Sequence, residues 1–208
     1  MALHTVNVLA VCTANMCRSV HTELAIKRNA GDLPLSVSSA GVNTEPGEAA
    51  CPEATSSPNT HRSRQIDDEL VDAADLVLVM ESTHKSRVVR EHPRGRRKLF
   101  KVAEAGSLFP AVVAELGRVR GGAESEWLQV PADFDSLSHP ARILWLVDEA
   151  HNAREYIVEE YEDMTDTHGV AGITHRGIYA LIDQNLEKIL GSLRAIGTNV
   201  PHDSKAEG

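Results

Sequence analysis

The chain has 208 residues, 42% hydrophobic and 25% charged, which is typical of a compact globular domain. Its 30 acidic and 21 basic residues give a net charge of −9, which argues against a nucleic-acid partner because DNA and RNA phosphates would be repelled. No apolar run has the length of a signal peptide or membrane span, so the sequence predicts a cytoplasmic protein with no membrane partner.

The first predicted unit is a strand, a short loop and a helix. The apolar run at residues 8–11 predicts a buried strand over residues 6–11, and a helical pattern follows over residues 20–29. Backbone N–H groups of such a loop can surround a phosphate, and the helix N-terminus adds partial positive charge. The unit therefore predicts a phosphate-binding loop.

Cys12 and Arg18, six positions apart in this loop, carry the expected chemistry. The positive surroundings favour a thiolate, so Cys12 is expected to be nucleophilic near neutral pH. Arg18 can grip phosphate oxygens through two parallel hydrogen bonds, which Lys cannot reproduce. Ser19 can donate its hydroxyl to the thiolate, and Asn15 tolerates the left-handed backbone that a tight loop around an anion requires. These residues predict hydrolysis of a phosphate ester through a phosphocysteine.

Strands alternate with helices further along the chain. Strands are predicted at residues 35–39, 76–80 and 99–102, and helices at residues 67–73 and 82–91. The alternation predicts a single α/β domain, a four-stranded parallel sheet with helices on both faces and the phosphate-binding loop after strand 1. Three more helices are predicted, at residues 110–118, 140–160 and 173–196.

The loop at residues 12–19, CTANMCRS, resembles the signature of the low-molecular-weight protein tyrosine phosphatases. The similarity covers about residues 6–104 and 140–194. It implies a phosphatase domain over residues 1–197 with an insertion at about residues 105–140, and a disordered tail over residues 198–208. The resemblance assigns phosphate binding to the loop members Thr13, Ala14, Asn15, Met16, Cys17 and Ser19.

The same resemblance implies the activity. A protein tyrosine phosphatase would hydrolyse phosphotyrosine or another aryl phosphomonoester with Cys12 as nucleophile and Arg18 as phosphate ligand, using no cofactor and no metal. Asp166 holds the place of the family's general acid, with Asp163 and Glu162 as alternatives on the same loop. The expected partner is a phosphotyrosine protein or a small phosphate ester, and the expected state is a monomer or weak homodimer.

Other positions match or depart from the family pattern. Ser39 and His61 resemble residues that support the loop Asn, while Thr167 and His168 replace the family's Pro and aromatic residue after the acid. His168 is expected to contact the substrate's aromatic ring. Met16 favours an aryl ester, because related phosphoarginine enzymes have a Thr there.

Two alternatives stay open. An arsenate reductase of the same fold would need further cysteines to relay a disulfide, and outside the loop the chain has only Cys51, which is expected to be structural or exposed. A phosphate-binding regulatory protein with weak catalysis would also fit the altered acid loop. The family resemblance also implies that Cys12 and Cys17 can form a reversible disulfide.

Overall fold

The computed structural model describes residues 5–166, 172 and 174–198. Its centre is a four-stranded, fully parallel sheet in the order β2-β1-β3-β4. This confirms the predicted α/β fold and strand number. The strands are β1 (Val6–Cys12), β2 (Leu35–Gly41), β3 (Leu76–Val79) and β4 (Leu99–Lys101).

Six α-helices lie within the described residues, joined in places by short 3-10 turns. Among these helices, none combines the length and apolarity that a membrane span needs. The helices are α1 (Arg18–Asn29), α2 (Asp68–Ala73), α3 (Ser82–Glu91), α4 (Val102–Arg120), α5 (His139–Ala153) and α6 (His175–Ala195).

Alternating side chains of the strands fill two separate apolar layers, one on each face of the sheet. Val8 and Leu78 point into the larger layer, which includes buried residues of α1, α4, α5 and α6. Leu9 and Val77 point the other way, into a smaller layer closed by α2 and α3. Helices therefore cover both faces, as predicted, and the carboxyl ends of all four strands share one edge.

Two helix predictions had wrong boundaries. The helix predicted at residues 110–118 begins too late, because α4 begins at Val102 and continues through Pro110, a residue typical of a helix's first turn. Burial of Leu108 and Phe109 against the larger layer stabilises this first half of α4. The helix predicted to reach residue 160 ends at Ala153, and Val158 beyond it is 87% exposed.

The predicted insertion at about residues 105–140 thus begins inside α4, whose buried residues pack in the main core. Its limits, like those of the domain at residues 1–197, stay predictions. The predicted tail lies outside the described residues, apart from Thr198.

Candidate active site

The loop between β1 and α1 lies at the carboxyl edge of the sheet, where its backbone closes tightly on itself. Asn15 has a positive φ of 54°, a conformation that Asn tolerates better than most residues. The end of β2 passes very near the loop, since a Cβ added to Gly41 would lie 2.5 Å from the Thr13 carbonyl oxygen. A glycine at this position is therefore required by the close approach.

Side chains from three other segments hold Asn15, which is completely buried. Its amide nitrogen donates to Ser39 Oγ at 2.9 Å and to Ser19 Oγ at 3.1 Å, and its Oδ1 accepts from the Arg64 backbone N–H at 3.0 Å. His61 Nε2 donates to the Asn15 carbonyl at 2.7 Å. The structure thus places Ser39 and His61 against Asn15, the loop residue that the family resemblance predicts they support.

The Cys12 thiol faces the start of α1, with its Sγ 3.0 Å from the Ser19 hydroxyl oxygen. Because the Asn15 amide already donates to that oxygen, the Ser19 hydroxyl hydrogen is directed toward the sulfur. A thiolate accepting this charge-assisted hydrogen bond is stabilised as a nucleophile and as a leaving group.

Arg18 is buried to 3% exposure, and both ends of its guanidinium are held. One amino group donates to the Met164 carbonyl at 2.8 Å and pairs with Glu81. The other lies 2.6 Å from Asp166 Oδ2 and 3.3 Å from Thr13 Oγ1. These contacts fix the plane of the guanidinium beside the loop, as bidentate phosphate binding requires.

His84 and Glu81 are site residues that the sequence analysis missed. His84 Nε2 lies 2.9 Å from Thr13 Oγ1, so α3 braces the loop from the side of β3. Burial, together with the nearby Arg18 charge, lowers the pKa of His84 to about 4 against the opposing effect of Glu81, and the imidazole is neutral near pH 7. Both residues follow β3 closely, so the shared carboxyl edge of a parallel sheet was the available signal.

The acid loop places its two aspartates in different surroundings. Asp163 Oδ1 accepts from Lys101 Nζ at 2.8 Å and from the Ser82 hydroxyl and backbone N–H at 2.9 and 3.0 Å. Burial raises the pKa of Asp163, but these hydrogen bonds outweigh it and the net shift is downward. Asp166 instead reaches Arg18, while Glu162 is exposed. Thr167 and His168 lie outside the described residues.

A pocket of about 260 Å³ opens beside the Cys12 sulfur and has a mainly apolar wall. Cys51 lines this pocket and is buried. Of the two expectations for Cys51, structural or exposed, the structure excludes the exposed one. The lining residues are Cys12, Ala14, Met16, Cys17, Arg18, Cys51, Pro52, Glu53 and Asp166.

A cysteine at the end of a central strand, an arginine six residues later and a loop of backbone amides between them define the class of Cys-x5-Arg phosphatases. The sequence model described as low molecular weight phosphotyrosine protein phosphatase matches residues 7–107. A probable low molecular weight protein-tyrosine-phosphatase, EpsP of Ralstonia nicotianae, is 32% identical over 105 residues, which cover 47% of this chain and 70% of that protein. The chain belongs to the low-molecular-weight protein tyrosine phosphatase family, whose members are cysteine-dependent hydrolases.

Relatives of this chain are named for different activities. The protein-arginine-phosphatase of Bacillus subtilis is 35% identical over 106 residues, covering 47% of this chain and 71% of its own. A crystal structure of a YwlE mutant from the same organism superposes with a TM-score of 0.59 at 21% identity, covering 91% of this chain and 99% of that one. The superposition shows that both chains have the same fold.

Proposed function

We propose that this protein is a phosphotyrosine phosphatase that uses Cys12 as nucleophile, Arg18 as phosphate ligand and Asp166 as general acid. The observation that carries the proposal is their convergence on one pocket, which all three line. The three free thiols, Cys12 among them, fit a reducing compartment, and we propose that the enzyme acts in the cytoplasm as a monomer or weak homodimer.

The first chemical step transfers the phosphoryl group to sulfur. Phosphate oxygens displace the Asp166 carboxylate from the Arg18 guanidinium, the displaced carboxylate takes up a proton from solvent, and the loop amides bind the equatorial oxygens. The Cys12 thiolate attacks phosphorus in line, so the S–P bond forms as the ester P–O bond breaks. Asp166 gives its proton to the departing phenolate oxygen.

The second step releases phosphate. Asp166, now a carboxylate, takes a proton from water, and the resulting oxygen nucleophile attacks the phosphocysteine. The S–P bond breaks and the thiolate returns to its hydrogen bond with Ser19. Asp163 takes no part, because its contacts with Lys101 and Ser82 keep it from Arg18.

The pocket wall supports an aromatic ester. Met16 and Pro52 offer apolar surface beside Cys12, where a phenyl ring can pack. Phosphoarginine is the second candidate substrate, because Glu53 and Asp166 also line the pocket and their carboxylates can pair with a guanidinium. The similarity to the protein-arginine-phosphatase of Bacillus subtilis favours the same candidate.

Steady-state kinetics with aryl phosphates and phosphoarginine test the proposal. In reducing buffer, Cys12→Ser abolishes turnover and Asp166→Asn lowers kcat by about 10²–10⁴-fold. The loss is greater for phenyl phosphate than for p-nitrophenyl phosphate, whose leaving group needs less protonation. Asp163→Asn, the matched control on the same loop, keeps most of the turnover.

Three other results would each contradict one part of the proposal. Robust turnover that Asp166→Asn leaves untouched would remove Asp166 from the acid role. A higher kcat/KM for phosphoarginine than for any aryl phosphate would reassign the substrate. Tight phosphate binding without turnover would favour a phosphate-binding regulatory protein.

A further inference from the structure

A second cluster of reactive side chains, outside the proposed chemistry of Cys12, reaches the wall of the pocket through Cys17 and Cys51. The Cys17 and Cys51 sulfurs and a ring nitrogen of His175 all lie within 4.8 Å of one another. Cys17 belongs to the phosphate-binding loop, Cys51 to the segment after β2, and His175 is the first residue of α6. These distant sequence positions show no ligand spacing, so the sequence analysis found no metal site.

The cluster has the dimensions of a tetrahedral thiolate–imidazole site. Zinc binds sulfur at about 2.3 Å and nitrogen at about 2.0–2.1 Å, so the sulfur–nitrogen edge of a tetrahedron is about 3.6 Å. Cys51 Sγ lies 3.6 Å from His175 Nε2. Glu53 Oε2 accepts a hydrogen bond from Cys51 Sγ at 2.8 Å, so a carboxylate oxygen lies beside the cluster.

The surroundings limit how far the ligands can move. The His175 ring packs 5.8 Å from the Tyr179 ring, which stacks on His21 at 4.1 Å with an interplanar angle of 3°. The Cys51 backbone N–H donates to the Met16 carbonyl at 2.9 Å, which ties its segment to the phosphate-binding loop. A site held from both sides needs little reorganisation to accept an ion.

We propose that Cys17, Cys51 and His175 bind one Zn²⁺ ion in the wall of the substrate pocket, with Glu53 or water as the fourth ligand. Both thiols release their protons to solvent on binding, and no electron is transferred. Because Cys17 and Cys51 line the pocket, the ion narrows it and lowers turnover of aryl phosphates. The inhibition rests on the proposed phosphatase activity, whereas the binding does not.

Titration of the reduced Cys12→Ser protein with Co²⁺, followed by displacement with Zn²⁺, tests the binding. We expect one ion per chain, with the visible bands of tetrahedral cobalt and a sulfur-to-cobalt charge-transfer band. Adding Cys51→Ser or His175→Ala weakens binding at least about tenfold, since even residues that only orient metal ligands contribute that much. His92→Ala is the matched control, because His92 pairs with Asp68 away from the cluster.

Absence of tetrahedral bands in the Cys12→Ser protein would overturn the proposal, as would bands that neither added replacement changes. The nucleophile is missing in this protein, so a failure here is separate from a failure of the phosphatase assignment. In the wild-type chain, His175→Ala raises the Zn²⁺ concentration for half-inhibition at least about tenfold. Equal inhibition of both proteins would show that zinc acts on Cys12 and would overturn the inhibitory role.

Discussion

At the scale of single residues, Asn15 holds the shape of the phosphate-binding loop. Its left-handed backbone would cost most other residues about 1–2 kcal/mol. Its side-chain amide also donates to Ser39 Oγ and accepts from the Arg64 backbone N–H. Asn15 is completely buried, and an unmade hydrogen bond in such a place costs about 1–3 kcal/mol. Asn15→Ala is therefore expected to lower the free energy of unfolding by about 2–5 kcal/mol, measured by urea denaturation.

Asn15→Gly separates the two contributions. Glycine adopts the positive φ freely, so only the loss of the side-chain hydrogen bonds remains, at about 1–3 kcal/mol. Both variants should also weaken competitive inhibition by inorganic phosphate, because the loop amides lose their common orientation. Wild-type stability in Asn15→Ala would show that the network contributes nothing to the folded state.

The loop could be predicted from the sequence because Cys12 and Arg18 are carried by one continuous segment between a strand and a helix. Two partners of Arg18 were not predicted, Glu81 and the Met164 carbonyl, which reach it from the segment after β3 and from the acid loop. Their positions depend on strand order and on how a distant loop folds back. Cys51 and His175 were missed for the same reason.

At the scale of secondary-structure elements, α4 and α6 pack tightly against each other at Gly106. A Cβ added there would lie 2.3 Å from Asn185 Oδ1 and 3.0 Å from Asn185 Cβ. Rotation of the amide cannot relieve the second contact. Gly106→Ala is expected to destabilise the protein by about 1–3 kcal/mol through overpacking, although alanine is the better helix former.

Gly117→Ala is the matched control in the same helix, because nothing lies within 4 Å of its added Cβ. It should stabilise the protein by up to about 1 kcal/mol in urea denaturation. Asn185→Ala should rescue Gly106→Ala only in part in a double-mutant cycle, because it removes the amide and leaves the Cβ contact in place. Equal effects of the two glycine replacements would contradict a close contact between α4 and α6.

The strands of this fold were easier to predict than the helices. β3 and residues 8–11 of β1 are short, continuously apolar and buried on both faces, a pattern that identifies central parallel strands. Helix ends depend on tertiary contacts instead. Pro110 is typical of a first turn, yet α4 begins eight residues earlier because its N-terminal half is buried under the other helices.

At the scale of the whole molecule, one buried carboxylate joins elements from both sides of the sheet. Glu104, 3% exposed, accepts from Lys85 at 2.8 and 2.9 Å, from Arg154 Nε at 2.8 Å and from the Lys101 N–H at 2.9 Å. Arg154 also donates to the Leu99 carbonyl at 2.6 Å. α3, β4, α4 and the segment after α5 therefore meet at this one group.

Removing the charge of Glu104 should weaken the whole fold in a pH-dependent way. Burial raises the pKa of Glu104, but the Arg154 and Lys85 charges outweigh it and the net shift is downward. A carboxyl group whose pKa is lower in the folded state stabilises the protein above its unfolded pKa, and this stability is lost as the pH falls through its folded pKa. Glu104→Gln is expected to cost about 3 kcal/mol at pH 7, because two half-buried cations lose their buried partner.

The difference in free energy of unfolding between wild type and Glu104→Gln should narrow as the pH falls below about 4, because the wild-type side chain then loses its charge and resembles the neutral glutamine. Urea denaturation from pH 3 to 7 measures it. Glu91→Gln, which removes an exposed carboxylate paired with Arg87, is the control and should leave the unfolding midpoint unchanged. A constant difference across this pH range would show that Glu104 acts through shape and hydrogen bonding alone. A difference that closes at low pH would show that the charge of this one carboxylate holds the four segments together.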